Sequence, residues 1–330
     1  MLNRSPRKRS QSGVALITAI MIVAVASIAA VTMTETLQLS IRRTSNILIT
    51  DQTYFYALGS EEWARGQLIR DAKRDIKAKN PYDALDEDWA KPLPITAIEG
   101  GTVAAQIVDL QARFNLNNLY LAEEPDQKSK DRTAQHSEVF RRLLNILELE
   151  EGLAQAVSDW LDQDIDAQFP DGAEDNEYLG GALPYRTANG LMSSPTELLL
   201  IKGITPEIFE KLEPHVTTLP ETVTININTA DTIIFRALVE SLTDSDVETL
   251  ISERKESPFT DNKAFEDRLT ELLGDNKEPL KNADNTYSVS SNYFLLETSI
   301  SMDNTNQYLR CLLNKTDKGV YTLSRTTGTF

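Results

Sequence analysis

The sequence predicts an α+β chain with one long amino-terminal helix, a small antiparallel sheet and a large inserted all-α domain. Three observations carry this. Residues 10–34 hold no charged side chain and lead into apolar positions at three- and four-residue spacing as far as Leu58. β-rich sequence occurs twice, near 93–110 and again after 285, and short, well-punctuated helical patterns fill the interval. Strand, helices, then strand is the order of a domain interrupted by an insertion.

The first element begins with Arg4, Arg7, Lys8 and Arg9, followed by the apolar run from Val14 to Thr34. A bilayer core about 30 Å thick needs about 20 apolar helical residues, so this run is long enough to span. The basic cluster on one side and Glu35 on the other predict a cytoplasmic amino terminus, a single pass through the inner membrane and a periplasmic body. Three readings fit the segment: a cleaved secretory signal with Ala24-Val25-Ala26 as its small-residue site, a plain signal anchor, and a short leader cut before the apolar run. Against the first, apolar residues continue past Ala26 without a turn signal, through Leu37, Ile41, Ile47 and Leu48 to Phe55.

The sheet and the helices follow in order. Residues 93–110 carry two partly alternating runs around Glu99-Gly100-Gly101, a hairpin pattern. Val139, Phe140, Leu143, Leu144 and Leu147 share one helix face, as do Leu153, Val157, Trp160 and Leu161 in the next segment. Ser194-Pro195-Thr196-Glu197 combines a cap, a proline and a capping-box glutamate, and Thr205-Pro206-Glu207 opens another short helix. Helices are expected again near 246–254 and 263–273. Strands return at 293–299 and 308–313, divided by Asp303-Asn304, and Lys318-Gly319 opens a last one.

Composition narrows the function. With 33 basic and 50 acidic side chains the net charge is −17, which repels phosphate backbones and argues against a nucleic-acid role. Cys311 is the sole cysteine, so there is no intrachain disulfide, and with only His136 and His215 a cysteine- or histidine-rich metal site is disfavoured. His136 falls on a polar helix face and His215 follows a proline, so both read as surface residues without a carboxylate partner. No nucleophile elbow, phosphate loop, zinc spacing or dinucleotide fingerprint occurs, and no enzyme activity is expected.

The densest chemistry lies in residues 159–177, where Asp159, Asp162, Asp164, Asp166, Asp171, Glu174, Asp175 and Glu177 occur without a lysine or arginine. Such a cluster repels itself unless it is solvated or neutralised by a cation. Oxygen ligands on a loop curled by Pro170 and Gly172 favour calcium over zinc or copper. An EF-hand is excluded because Ala167 and Ala173 stand at its glycine and final-glutamate positions. The expected ligands are Asp162, Asp164, Asp166, Glu174 and Asp175; the competing reading is a solvated acidic loop.

Residues 201–206, IKGITP, and the later ININTA have the look of helix-hairpin-helix modules that grip DNA phosphates through backbone amides. Only Lys211 is basic between 203 and 235, so the hairpins read as structural. A membrane-anchored periplasmic DNA-binding or adhesion module is the alternative function.

Several blocks resemble one family. Arg9-Ser10-Gln11-Ser12-Gly13-Val14 resembles a prepilin peptidase site, and YFYALGSEEWA (54–64), DLQARFNLNNL (109–119), WLDQDIDAQFPDGAEDNEY (160–178) and TININTA (224–230) follow in family order. The chain is identified as resembling the K-type minor pseudopilins of type II secretion systems, the GspK family. The resemblance implies a type IV pilin-like fold divided as leader 1–13, transmembrane and long helix 14–65, a discontinuous α/β domain 66–112 and 285–330, and a helical insert 113–284. It implies cleavage between Gly13 and Val14 by prepilin peptidase, N-methylation of Val14, and calcium bound in the acidic region. It further implies a place at the pseudopilus tip with I-, J- and H-type minor pseudopilins as candidate partners and the major pseudopilin below. Thr18 stands at mature position five, where pilins carry a glutamate that neutralises a neighbour's terminal amine in the membrane. Its absence is expected of a capping subunit, which has no neighbour above.

Overall fold

The computed structural model describes residues 12–79, 81–122, 124–180, 183–274, 283, 285–303 and 305–329. Helix α1 spans Ser12–Ala78. No proline interrupts it, and hydroxyls that would otherwise be unsatisfied in an apolar setting bond back to carbonyls one turn earlier. Thr34 reaches Ala30 O at 2.9 Å, Thr36 reaches Thr32 O at 2.8 Å and Ser40 reaches Thr36 O at 2.9 Å. Each large apolar side chain from Val14 to Leu48 is more than half exposed, and the stretch is long and apolar enough to cross a membrane. The helix runs past residue 65 because GQLIRDAKRDIKA contains no breaker beyond Gly66.

The described chain divides into two units, Met1–Tyr56 and Ala57–Phe330. Within the second, β1 (Leu93–Ile98) and β2 (Gly101–Asp109) form the expected hairpin. Strands β7 (Tyr293–Met302), β8 (Thr305–Thr316) and β9 (Gly319–Thr329) complete a five-stranded antiparallel sheet in the order β1-β2-β7-β8-β9. The join between β2 and β7 runs in unbroken register from Gly101↔Met302 to Asp109↔Phe294. A Cβ at Gly101 would stand 2.0 Å from Ser301 O, so only glycine fits that end of the ladder.

Residues from Ala57 onward bury one stripe of α1, with Ala57, Ala64 and Leu68 wholly inaccessible. Ser60 Oγ and Thr298 Oγ1 lie 2.8 Å apart. The buried Glu61 carboxylate accepts from Arg325 Nε at 2.5 Å, Arg325 Nη2 at 2.8 Å and Thr322 Oγ1 at 2.6 Å. That bidentate pair links α1 to the edge strand, and the Arg325 contact holds the Glu61 carboxyl down at about 2 against the opposing effect of burial.

Between β2 and β7 lie α2 (Gln127–Ile146), α3 (Leu153–Leu161), α4 (Asp175–Tyr178), α5 (Pro206–Leu212), α6 (Thr232–Leu238), α7 (Asp244–Glu256) and α8 (Asn262–Leu273). Each long helix starts on a side-chain cap: Asp126 accepts from Ser129 N, Thr243 forms a capping box with Asp246, and Asp261 accepts from Ala264 N. The apolar faces meet in one core with Phe140, Leu143 and Leu144 of α2, Val157 and Leu161 of α3, and Phe235 and Phe265 of α6 and α8. Ser194-Pro195-Thr196-Glu197 does form a capping box, over the 3-10 turn Pro195–Leu200 rather than an α-helix. Two parallel ladders of two residues also stand among the helices, β3 (Phe114–Asn115) with β4 (Val216–Thr217) and β5 (Ile225–Asn226) with β6 (Tyr287–Ser288).

The ends of β2 and β7, where the chain leaves the sheet and re-enters it, are tied by the buried Asp109. Its Oδ2 accepts from Asn226 Nδ2 (3.0 Å), Thr229 Oγ1 (2.6 Å) and Ser291 Oγ (2.6 Å), and its Oδ1 from Gln111 N (2.8 Å). Asn226 Nδ2 also donates to Asp83 O and Ser291 Oγ. Nearby, Asn117 Nδ2 donates to Met192 O and Leu219 O, and Asn228 exchanges bonds in both directions with Phe259. These amides replace ladder bonds between segments too irregular to pair as strands.

Asp109→Ala removes the acceptor shared by four buried donors, leaving Gln111 N without one, and is expected to cost about 3–5 kcal/mol in urea unfolding followed by tryptophan fluorescence; a loss under about 1 kcal/mol contradicts the role given to it. Because the Glu61 pKa is depressed in the fold, its contribution is present above the ordinary value of 4.5 and is lost as pH falls toward about 2. Arg325→Leu is therefore expected to flatten the acid limb of the stability profile in that window. Parallel acid limbs in the two proteins would contradict the pairing.

Candidate metal centre

The acidic region is shaped by the end of α3. Asp159 occupies its last turn, wholly buried. Its Oδ2 accepts from Gln168 N (3.1 Å) and Ala173 N (2.8 Å), which folds the following loop back across the helix end. Gly172 lies against that carboxylate: an added Cβ would stand 2.2 Å from Asp159 Oδ2. Trp160 and Tyr178 meet edge to face at 5.5 Å beneath the loop. Asp162 caps the carboxyl end of α3, and Glu174 takes the N-cap position of α4, where Thr187 Oγ1 donates to its Oε2 at 3.2 Å.

This arrangement brings together Asp162, Asp164 and Glu174, whose ligand oxygens lie within 4.8 Å of one another. Asp162 Oδ1, Glu174 Oε1 and Asp159 Oδ1 are buried without a hydrogen-bond partner, as is Asn189 Oδ1 beside Trp160. Unsatisfied buried oxygens cost about 1–3 kcal/mol each, more when charged. Among the described residues no lysine or arginine pairs with the triad; Arg186 goes to Asp175 (3.3 Å) and Lys202 to Glu177 (3.5 Å). Burial first, then the charges of Asp164, Asp159 and Glu174, pushes the Asp162 carboxyl up to about 7. Burial likewise raises Asp159 and Glu174. An all-oxygen donor set with several lone pairs unused fits a hard divalent cation of the calcium class.

Of the five residues expected as ligands, Asp162, Asp164 and Glu174 converge. Asp166 is exposed and takes part through its backbone, its N donating to Asp164 Oδ1 at 2.9 Å. The Asp175 carboxylate accepts from Thr187 N and Oγ1 and pairs with Arg186, so it buttresses Glu174 from behind. Asp159 is not among the acids that converge; from the end of α3 it shapes the loop by accepting from Gln168 N and Ala173 N. Asn189 and Thr187 reach the loop through tertiary packing and carry no local signal.

A second acidic group, Asp71, Asp75 and Glu87, has equally close oxygens. Burial pushes the Asp71 and Asp75 carboxyls up to about 6. It differs in having a cation already: Lys315 Nζ lies 3.5 Å from Asp71 Oδ2 and bonds Asp83 Oδ1.

The remaining residues singled out by sequence fall as follows. Gly13 and Val14 lie in the first turn of α1, and the leader residues 1–11 lie outside the described residues. Thr18 Oγ1 sits 2.9 Å from Ala15 O and 3.1 Å from Val14 O, spent within its own helix. His136 is wholly buried, because Asn118 and Phe114 close over the helix face that looked polar. His215 does have a carboxylate partner, its Nδ1 lying 2.8 Å from Asp231 Oδ2. In the IKGITP turn, Gly203 adopts φ +83 with Leu153 Cδ2 2.9 Å from where a Cβ would be, Lys202 N donates to Tyr178 OH, and Thr205 caps α5. The hairpin thus packs against the acidic region and the core.

Comparison with known proteins places this arrangement. Two family models described as type II secretion system protein K match, one over residues 112–221 and the other over 225–290. Type II secretion system protein K of Pseudomonas aeruginosa is 34% identical over 320 residues, covering 94% of this chain and 91% of its own length. The protein of the same description from Aeromonas hydrophila is 31% identical over 300 residues, 88% of each. Among solved structures, a chain in the crystal structure of the GspK-GspI-GspJ complex from the enterotoxigenic Escherichia coli type 2 secretion system aligns with a TM-score of 0.73 and 26% identity. That alignment covers 87% of this chain and 99% of that one.

The geometry gives opposite signs for one substitution under two conditions. Asp162→Asn is expected to raise the thermal midpoint in the presence of a chelator, by relieving carboxylate repulsion, and to abolish the rise that millimolar calcium gives the unaltered protein. That rise is expected to be roughly 5 °C. Differential scanning calorimetry reads both, and a calcium response that survives Asp162→Asn refutes the triad.

Proposed function

The chain belongs to the type II secretion system protein K family and is a minor pseudopilin of that machinery, and from that premise we propose that it initiates and caps the pseudopilus tip. The observation that carries this reading is Thr18. A subunit inserted beneath a sibling supplies an acid at this depth to neutralise the sibling's terminal amine, and leaving that amine unpaired in hydrocarbon costs several kcal/mol. The Thr18 hydroxyl offers no charge and is already bonded to its own helix.

In this reading prepilin peptidase cuts between Gly13 and Val14, Val14 becomes the methylated amino terminus, and the helix crosses the inner membrane once with the body in the periplasm. Small residues Ala15, Ala19, Ala24, Ala26, Ala29 and Ala30 allow close approach to neighbouring helices, whose association rests on van der Waals packing. The I- and J-type minor pseudopilins are its partners, by analogy with the GspK-GspI-GspJ complex. The cation at Asp162, Asp164 and Glu174 is calcium, and its role is to hold the loop against α3. Millimolar extracellular calcium fills even a modest site of this kind. Its work is assembly, not turnover.

Amino-terminal sequencing and mass analysis of the mature protein are expected to give methylated Val14, whereas a start at Ser27 would exclude the pilin-type pathway. Gold labelling of overproduced pseudopili is expected to mark one end of each fibre. Label repeated along the shaft would overturn the capping role.

A further inference from the structure

A polar cavity of about 610 Å³ opens beside α2 and shares no residue with the acidic loop. Lys128, Arg132 and His136, each four residues from the last, line it from one helix face; Thr224, Tyr287 and Ser288 line the opposite side. His136 is wholly buried. The hydrogen-bond network fixes its tautomer. Val223 N donates to Asn118 Oδ1 (3.0 Å) and Asn118 Nδ2 donates to Val223 O (2.8 Å), so the amide cannot be flipped. Asn118 Nδ2 is therefore also the donor to His136 Nδ1 at 3.2 Å, and the ring proton sits on Nε2. Nε2 has no partner, although the residue lines the cavity.

Two cations stand beside this unused donor. Among the described residues Lys128 and Arg132 make no ion pair or hydrogen bond through their side chains. Asp131 also lines the cavity, its Oδ1 accepting from Gln127 Nε2 at 2.7 Å. Burial, then the Arg132 charge, pushes the His136 imidazole down to about 4, so it is neutral at pH 7. The described lining residues therefore carry one net positive charge, with Asp126 within electrostatic reach of both cations, in a chain whose overall charge is −17.

We infer that this cavity is a binding site for a singly charged carboxylate, received by the Arg132 guanidinium with Lys128 at the rim, beside the buried His136 ring whose Nε2 senses the added charge. A carboxylate supplies two in-plane acceptors, which suits a guanidinium. A doubly charged phosphate would exceed the local positive charge and face Asp131. The cavity is also larger than a carboxylate alone requires, which favours a glutamate or aspartate borne on a peptide over a free small acid.

The test uses the full chain in detergent micelles, labelled with ¹³C and ¹⁵N at histidine, where only His136 and His215 give ring signals. Sodium acetate, the blocked peptide acetyl-Gly-Glu-Gly-amide and inorganic phosphate are titrated at pH 7 and constant ionic strength. Both carboxylates are expected to give a saturable shift of His136 Nε2 without moving His215, the peptide binding more tightly than acetate. Arg132→Gln is expected to weaken binding about tenfold, the loss of one charge-assisted bond, and Lys128→Gln by less. Among the described residues neither side chain makes an ion pair or hydrogen bond, and an unchanged thermal midpoint shows that each variant folds. Equal affinity for acetate and peptide keeps the site and assigns it to a free acid. No saturable shift, tighter binding of phosphate, or an unchanged affinity in Arg132→Gln overturns the proposal.

Discussion

The unit Ala57–Phe330 depends on one buried carboxylate. Asp109 ends the second strand of the sheet, and its four hydrogen bonds reach Gln111 on the way out, Asn226 and Thr229 in the insertion and Ser291 on the way back. A sheet assembled from two distant stretches of chain must close a long loop before its central pairing contributes anything, and a long loop adds little entropic cost per residue once its ends are fixed. Fixing the ends is what Asp109 does. Burial pushes its carboxyl up to about 6 despite these donors, so the hub is held by satisfied hydrogen bonds more than by charge. The same bonds explain why the insertion and the sheet form one unit, Ala57–Phe330.

The two acidic clusters show how the same composition is resolved in different ways. Around Asp71, Asp75 and Glu87, an ammonium from β8 lies 3.5 Å from Asp71 and pairs with Asp83, although both Asp71 oxygens stay buried without a hydrogen-bond donor. Around Asp162, Asp164 and Glu174 the nearby basic groups are engaged elsewhere, and several oxygens face inward with nothing to accept from. Burying like charges without compensation is unfavourable at any effective dielectric met inside proteins. That imbalance is what suits the loop to a cation, and Gly172, tucked against Asp159, lets the loop close tightly enough to produce it.

Along α1 the governing constraint is the absence of competing hydrogen-bond partners. Thr18, Thr34 and Thr36 each return their hydroxyl to a carbonyl one turn back, so these side chains are satisfied within their own helix. A helix built this way offers packing surface and no charged side chain between Val14 and Thr34.

Sequence alone determined the elements whose signals are local: the membrane-length helix, the hairpin around Gly100, the capped helix beginning at Thr205, the helix near 263–273, and the strands after 285. Periodicity, capping and turn chemistry act over a few residues and are legible without neighbours. It also marked DLQARFNLNNL and TININTA as blocks of a family, without a physical reason for their asparagines. Tertiary structure supplied the reason, since Asn115, Asn117, Asn118, Asn226 and Asn228 bond segments far away in the chain. It also decided which acids converge. Asp166 and Asp175 looked equivalent to Asp162 and Glu174 in a run of carboxylates, but only backbone direction and burial separate a ligand from a buttress. His136 went the same way: its helix face looks polar in one dimension and is closed over by Asn118 and Phe114 in three. Local pattern fixes what a segment becomes; which side chains lose water depends on what packs against them.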